Sequence, residues 1–151
     1  MLIYQKQDIT TVTYGVIGHG VNCQGVMGAG AALALKRKWP IINDMYRSLE
    51  HCNRKLLGQV QLVVIVPDQL YVVNMFTQFN YGRHGRYADI GSIESTFTKL
   101  LHISNVHDLP IYMPKIGAGF GGLNWNTEVE PSLQDCIRIN EYKKDITICE
   151  L

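Results

Sequence analysis

The chain has almost no charge of either sign to spare: 14 Lys and Arg stand against 13 Asp and Glu in 151 residues, a formal net charge of +1. Nothing global therefore draws it to nucleic acid or to a membrane surface. No apolar run reaches the roughly 18 residues of a membrane span. The four cysteines, Cys23, Cys52, Cys136 and Cys149, form no Cys-x-x-Cys pair and read as free thiols. The five histidines are scattered without zinc spacing, so no metal and no other cofactor is expected. There is no repeat, no low-complexity tract and no linker. One domain over residues 1–151 is expected, with material for a sizeable core. Met1 to Asp8 reads as a strand rather than a signal peptide, which points to a cytoplasmic protein.

Short apolar runs alternate with helical patterns, the signature of an α/β fold. Strands are expected at Leu2–Lys6, Gly15–Gly20, Val60–Val66, Leu70–Phe76, Pro110–Pro114 and Ile146–Glu150. The third and fourth are rich in β-branched and aromatic residues and flank the turn Pro67-Asp68-Gln69, so they read as an antiparallel hairpin and the sheet as mixed. Helices are expected at Ala29–Lys38, Pro40–Cys52, Ile90–Ser104 and within Thr127–Ile139, the last starting near Pro131. Asp89 suits the cap of the third helix, and Ile90, Ile93, Phe97, Leu100 and Leu101 form its core face. Tyr46 and Leu49 read as core residues of the second. Lys36-Arg37-Lys38 sits favourably at the negative end of the first helix.

Two glycine-rich turns carry the chemistry. The first, Asn22-Cys-Gln-Gly-Val-Met-Gly-Ala-Gly30, opens into a helix-like segment. The second, Lys115-Ile-Gly-Ala-Gly-Phe-Gly-Gly122, follows the apolar run 110–113. Glycine lets backbone N–H groups approach an anion, and a helix N-terminus adds partial positive charge. Two such turns in one small domain suit a ligand with two linked phosphates. The spacing Gly117-x-Gly119-x-x-Gly122 also matches a dinucleotide fingerprint, but it lies too near the C-terminus for a further βαβ unit.

The ordered set of Asp8-Ile-Thr10, Gly18 through Gly30, Asn74-Met-Phe-Thr77 and Met113 through Trp125 resembles a macro domain, the ADP-ribose-binding module. The resemblance spans nearly the whole chain. It implies a three-layer α/β/α fold around a mixed sheet of about six strands. Asn-Cys-x-Gly-x-Met-Gly in the first turn is similar to a subgroup that includes ADP-ribose-1″-phosphate phosphatases, an enzyme that removes ADP-ribose from glutamate, and DarG antitoxins that remove it from DNA. Small single-domain members also occur in large tailed phages, so a phage origin would place the protein in the host cytoplasm.

The resemblance implies roles residue by residue. Asp8 would accept from the adenine amino group, with the N–H of Ile9 beside it; read alone, Asp8 is a turn residue. Asn22, Gln24, Gly25, Val26, Met27, Gly28 and Gly30 would surround the distal ribose. Gly117, Ala118, Gly119, Phe120, Gly121 and Gly122 would form the phosphate loop. The glutamate-deconjugating enzyme's aspartate corresponds to Gly121, and the antitoxin lysine falls at or near His84. Candidate catalytic residues are therefore His84 as general acid or base, Asn22, and Cys23, whose alternative is packing beneath its loop. Arg83 or Arg86 could bind a terminal phosphate. His19 reads as a structural hydrogen-bonding residue.

The functional expectation is removal of the 1″-phosphate from ADP-ribose-1″-phosphate. The alternatives are an ADP-ribosyl hydrolase acting on modified DNA or protein, and a reader of ADP-ribose without turnover. The expected partner is ADP-ribose or a derivative, free or on nucleic acid or protein, and the expected state is a monomer.

Overall fold

The computed structural model describes all 151 residues. Six strands form one sheet: β1 (Leu2–Lys6), β2 (Gly15–Asn22), β3 (Val60–Val66), β4 (Leu70–Gln78), β5 (Ile111–Met113) and β6 (Ile146–Glu150). Their order is β1-β6-β5-β2-β4-β3. All pairs are parallel except β3 with β4, the expected hairpin. Helices α1 (Gly30–Lys38) and α2 (Ile41–Arg47) cover one face, and α3 (Ile90–His107) and α4 (Glu130–Ile139) cover the other.

β4 shows how the sequence builds three layers. Successive side chains of a strand point to opposite faces. Leu70, Val72 and Phe76 pack with Leu35 of α1 and Ile42 of α2. Tyr71, Val73 and Met75 pack with Phe97 and Leu100 of α3. A strand buried on both faces needs a continuous apolar run, and β4 has one. Each such Leu, Ile or Phe contributes roughly 1.5–3 kcal/mol on full burial.

Several boundaries differ from expectation for local reasons. α2 ends at Arg47, well before Cys52, with Ser48 at its cap: the Ser48 N–H returns to the Asp44 carbonyl and its hydroxyl bonds the Met45 carbonyl at 2.6 Å. The chain then crosses beneath the first glycine turn, where Cys52 N–H donates to the Cys23 carbonyl at 2.7 Å. α3 runs past Ser104 to His107 and stops where Asp108 adopts φ 52°, its N–H returning to the Ser104 carbonyl. β5 is confined to Ile111–Met113 by Pro110 and Pro114, which lack the N–H a ladder needs. A π-helical turn, Trp125–Val129, precedes α4, and Pro131 lies in the first turn of α4.

The topology decides where a ligand can sit. β2 leaves the sheet into α1 on one face, and β4 leaves through residues 79–89 into α3 on the other. Open α/β sheets bind ligands at the carboxyl ends of strands where connections diverge in this way.

Candidate functional site

A cavity of about 530 Å³ opens at that point. Its floor is the end of β2 (Gly20, Val21, Asn22) and of β4 (Thr77, Gln78). One wall is the first glycine turn with the start of α1, from Gly28 to Ala32. The opposite wall is the second turn, with Gly117, Gly119, Phe120 and Gly121. Both turns thus border one cleft. Tyr81, Gly82 and Arg83 complete the rim.

The N-terminus of α1 faces this space without a side-chain cap. Ala29 stands at the cap position in extended conformation and offers no acceptor. The first N–H groups of a helix have no intrahelical partner, so those of α1 are free donors at the positive end of its dipole. No carboxylate lines the cavity; its charged residues are Arg83 and Lys115. The electrostatics suit an anion.

The first turn is knitted by two side chains. Asn22 Oδ1 accepts from Gln24 N–H at 2.9 Å, and its Nδ2 donates to the Val26 carbonyl at 2.8 Å. Tyr46, from α2, inserts its hydroxyl beneath the loop. That oxygen accepts from Gly25 N–H at 3.0 Å and Val26 N–H at 3.1 Å and lies 2.7 Å from both the Asn22 carbonyl and Oδ1. Burial pushes the Tyr46 pKa up to about 12, so it stays neutral and can donate. The expectation that Tyr46 is core holds, but nothing local in the sequence marks its hydroxyl as the hub of the loop.

The second turn is built on close backbone approach. Gly117 has φ 75°, in the left-handed region. A Cβ on Gly121 would lie 2.7 Å from the Gly117 carbonyl oxygen, whereas one on Gly119 would meet nothing within 4 Å. The Gly121 carbonyl accepts from Tyr87 N–H at 2.8 Å and Ala88 N–H at 3.0 Å. Loop 79–89 is therefore docked on the second turn. Arg86 pins it further through a bidentate pair with Glu128 at 2.6 and 3.1 Å. That pair and the Asn124 N–H hold the Glu128 carboxyl below the usual range.

Not every expected residue reaches the cavity. Asn22, Val26, Gly28, Gly30, Gly117, Gly119, Phe120 and Gly121 line it. Cys23 and Met27 instead pack in the core beneath the turn. Gln24 is tied to the Phe79 carbonyl at 3.1 Å, and Gly25 lies over Tyr46 and the His51 ring. Ala118 packs toward the α3 core, and Gly122 abuts the backbone of Gly85 and Arg86. The nucleophile expectation for Cys23 is corrected: the thiol is 1% exposed, and burial raises its pKa, which disfavours the thiolate. His84 is exposed but outside the lining, where its neighbour Arg83 stands instead. Arg86 is paired with Glu128 and lies outside the lining. The Asn22 side chain is occupied in shaping its loop.

Asp8 and Ile9 lie beyond the cavity lining. Asp8 caps a 3-10 turn at Ile9–Thr11, and Oδ1 accepts from Thr10 N–H at 2.9 Å and Thr10 Oγ1 at 2.8 Å. These bonds, the backbone one foremost, hold its carboxyl below the ordinary range. The turn packs against α1, the helix whose start lines the cleft. His19 is fully buried, with Nε2 2.6 Å from Asn74 Oδ1, which fits the structural role expected of it. Thr77 and Lys115 also line the cavity, although their residue types and spacing single out neither.

Chemically, the cleft offers main-chain donors on two walls and two cations, but no lining carboxylate, imidazole or thiol. It is equipped to hold and orient a polyanion. Such donors and cations act by positioning and by stabilising negative charge.

No protein-family model matches the chain. A DNA ADP-ribosyl glycohydrolase of Mycobacterium tuberculosis is 29% identical over 140 residues, covering 88% of this chain and 38% of that protein. The chain thus spans well under half the length of such relatives. An ADP-ribose 1″-phosphate phosphatase of Candida albicans is 27% identical over 157 residues, covering 94% of this chain and 99% of that enzyme. Among solved structures, the macrodomain of Thermus aquaticus DarG superposes with a TM-score of 0.80 at 26% identity, covering 100% of this chain and 99% of that one.

Proposed function

The chain folds as a macrodomain, and on that premise we propose that it binds ADP-ribose derivatives and hydrolyses the phosphomonoester of ADP-ribose-1″-phosphate. The observation that carries the reading is the single cavity bordered by Gly28–Ala32 and Gly117–Gly121. The diphosphate fits between these walls, taking N–H donors from both. The adenosine end then extends along α1 toward Asp8, and the distal ribose toward Asn22, Phe120 and Arg83.

The donor set favours a phosphatase over a glycosidase. Phosphoryl transfer from a monoester passes through a loose transition state, so catalysis is mostly positioning and stabilisation of charge on the transferred group. Water forms the new bond to phosphorus, the bond from phosphorus to the C1″ oxygen breaks, and that oxygen takes up a proton. The cleft supplies N–H donors and cations for this and needs no side-chain base. The Candida phosphatase also matches over its full length.

A second reading has one observation in its favour. Tyr81 is half exposed on the cavity rim, where an aromatic ring could stack a nucleic-acid base, as removal of ADP-ribose from DNA would require. Phosphate release from ADP-ribose-1″-phosphate, run beside incubation with ADP-ribosylated single-stranded DNA, separates the two. Release of phosphate with the DNA untouched is expected. Cleavage of the DNA adduct alone would replace the first reading with the second, and ADP-ribose binding without either reaction would leave a reader.

A further inference from the structure

Of the two cations that line the cleft, Arg83 alone has no acidic partner. Lys115 Nζ lies 2.9 Å from Glu150 Oε2, and Arg86 is held by Glu128. The Arg83 guanidinium instead lies over the Phe120 ring, 4.9 Å from its centroid, and its N–H groups meet no protein acceptor. Both residues line the cavity, one from loop 79–89 and one from the second glycine turn. Their contact bridges the cleft mouth at the end where the distal ribose would lie. The loop that carries Arg83 is anchored a few residues later by Arg86–Glu128 and by the two bonds to the Gly121 carbonyl. The arginine is thus an unpaired cation on a fixed base.

Resting on the phosphomonoester reading above, we propose that Arg83 is the specificity-determining residue that recognises a dianionic phosphate on C1″ of the ligand. A guanidinium over a ring face keeps its planar fork of donors free, and that fork matches two phosphate oxygens. Phe120 orients it and excludes water from one side. An uncharged substituent at C1″ gains nothing from this contact. The same arginine therefore separates a phosphorylated ligand from ADP-ribose itself.

The test compares wild type, Arg83→Gln, Arg83→Lys and Phe120→Leu. For each, calorimetry gives the dissociation constant for ADP-ribose, and phosphate release gives KM and kcat for ADP-ribose-1″-phosphate. The quantity read is the ratio of KM to that dissociation constant. Near neutral pH, Arg83→Gln should raise the ratio about tenfold or more, because a charge-assisted bidentate contact is lost. At about pH 5 the increase should shrink to a few-fold, since the second ionisation of a phosphate lies near pH 6. Arg83→Lys should recover part of the loss, and Phe120→Leu, which removes the ring that orients the guanidinium, should raise the ratio by clearly less than Arg83→Gln does.

An unchanged ratio in Arg83→Gln overturns the proposal. So does Phe120→Leu reproducing the full loss, which would reduce Arg83 to a brace for the ring. Loss of affinity for ADP-ribosylated single-stranded DNA with the ratio intact would assign the arginine to a DNA phosphate and overturn it equally. Wild-type protein that fails to bind ADP-ribose, or that binds it and releases no phosphate from ADP-ribose-1″-phosphate, defeats the functional reading itself, and this inference with it.

Discussion

Tyr46 holds the first glycine turn in shape through a single oxygen. Replacing it with Phe leaves the Gly25 N–H and an Asn22 acceptor without their partner in a buried site. We expect Tyr46→Phe to cost about 1–3 kcal/mol in urea unfolding, and to weaken ADP-ribose binding as the turn loosens. Unaltered stability and affinity would mean that Asn22 alone shapes the loop. The periodicity of α2 identified this residue as buried, because apolar spacing is local. Its hydroxyl partners lie 20 to 24 residues upstream, and no local pattern encodes such a contact. The same limit explains Arg83 and Arg86. Two arginines three residues apart look alike in sequence, and only the placement of Glu128, 42 residues later, assigns one to anchoring.

His19 gives the pH dependence at this scale. Burial lowers its pKa from 6.5 to about 4, with the Asn74 hydrogen bond opposing the shift. The unfolded chain therefore binds a proton below pH 6.5 that the folded chain refuses until about pH 4. The contribution is fully present above pH 6.5 and is lost as pH falls through that window, on the order of 3 kcal/mol in all. Urea midpoints across the window should fall more steeply for wild type than for His19→Gln. Parallel curves would show that the imidazole does not set the slope.

Among the elements, α1 is the one whose sequence favours ligand over stability. Its cap position is Ala29, where Ser, Asp or Asn would normally satisfy the first N–H groups. Ala29→Asp should stabilise the protein by about 0.5–2 kcal/mol while reducing ADP-ribose affinity at least several-fold, because the carboxylate takes the donors and repels the diphosphate. A gain in stability with affinity preserved would place the anion elsewhere. The second turn makes a complementary prediction. Gly121→Ala should destabilise by about 1–3 kcal/mol, since its methyl would meet the Gly117 carbonyl, whereas Gly119→Ala should change thermal stability little. Both glycines were legible as a phosphate-type turn, but which of them the backbone requires depends on the turn's own closure. Strand and helix types were legible throughout, since each has its own hydrophobic period. Their ends were less so: α2 stops at Arg47, short of the expected Cys52, and α3 continues to an Asp108 cap that a glycine search misses.

At the scale of the whole molecule, two segments about ninety residues apart in sequence are brought to one cleft by the divergence of β2 and β4. The sequence showed both cradles and the order of landmarks around them. It overcounted the residues that face the ligand, because a glycine-rich loop places half its side chains beneath itself. Cys23 and Met27 are that buried half. His84 stands just outside the lining that its neighbours Gly82 and Arg83 join, because loop 79–89 is docked to Gly121.

The central claim is that both cradles grip one diphosphate. Calorimetric titration of ADP-ribose into wild type, Ala29→Asp, Gly119→Val and the double variant tests it most directly. The account predicts one site per chain, a loss of about tenfold or more in each single variant, and a double-variant loss smaller than the product of the two, as for residues that share a ligand. Wild type that does not bind ADP-ribose, or full affinity retained when either cradle is altered, would contradict it.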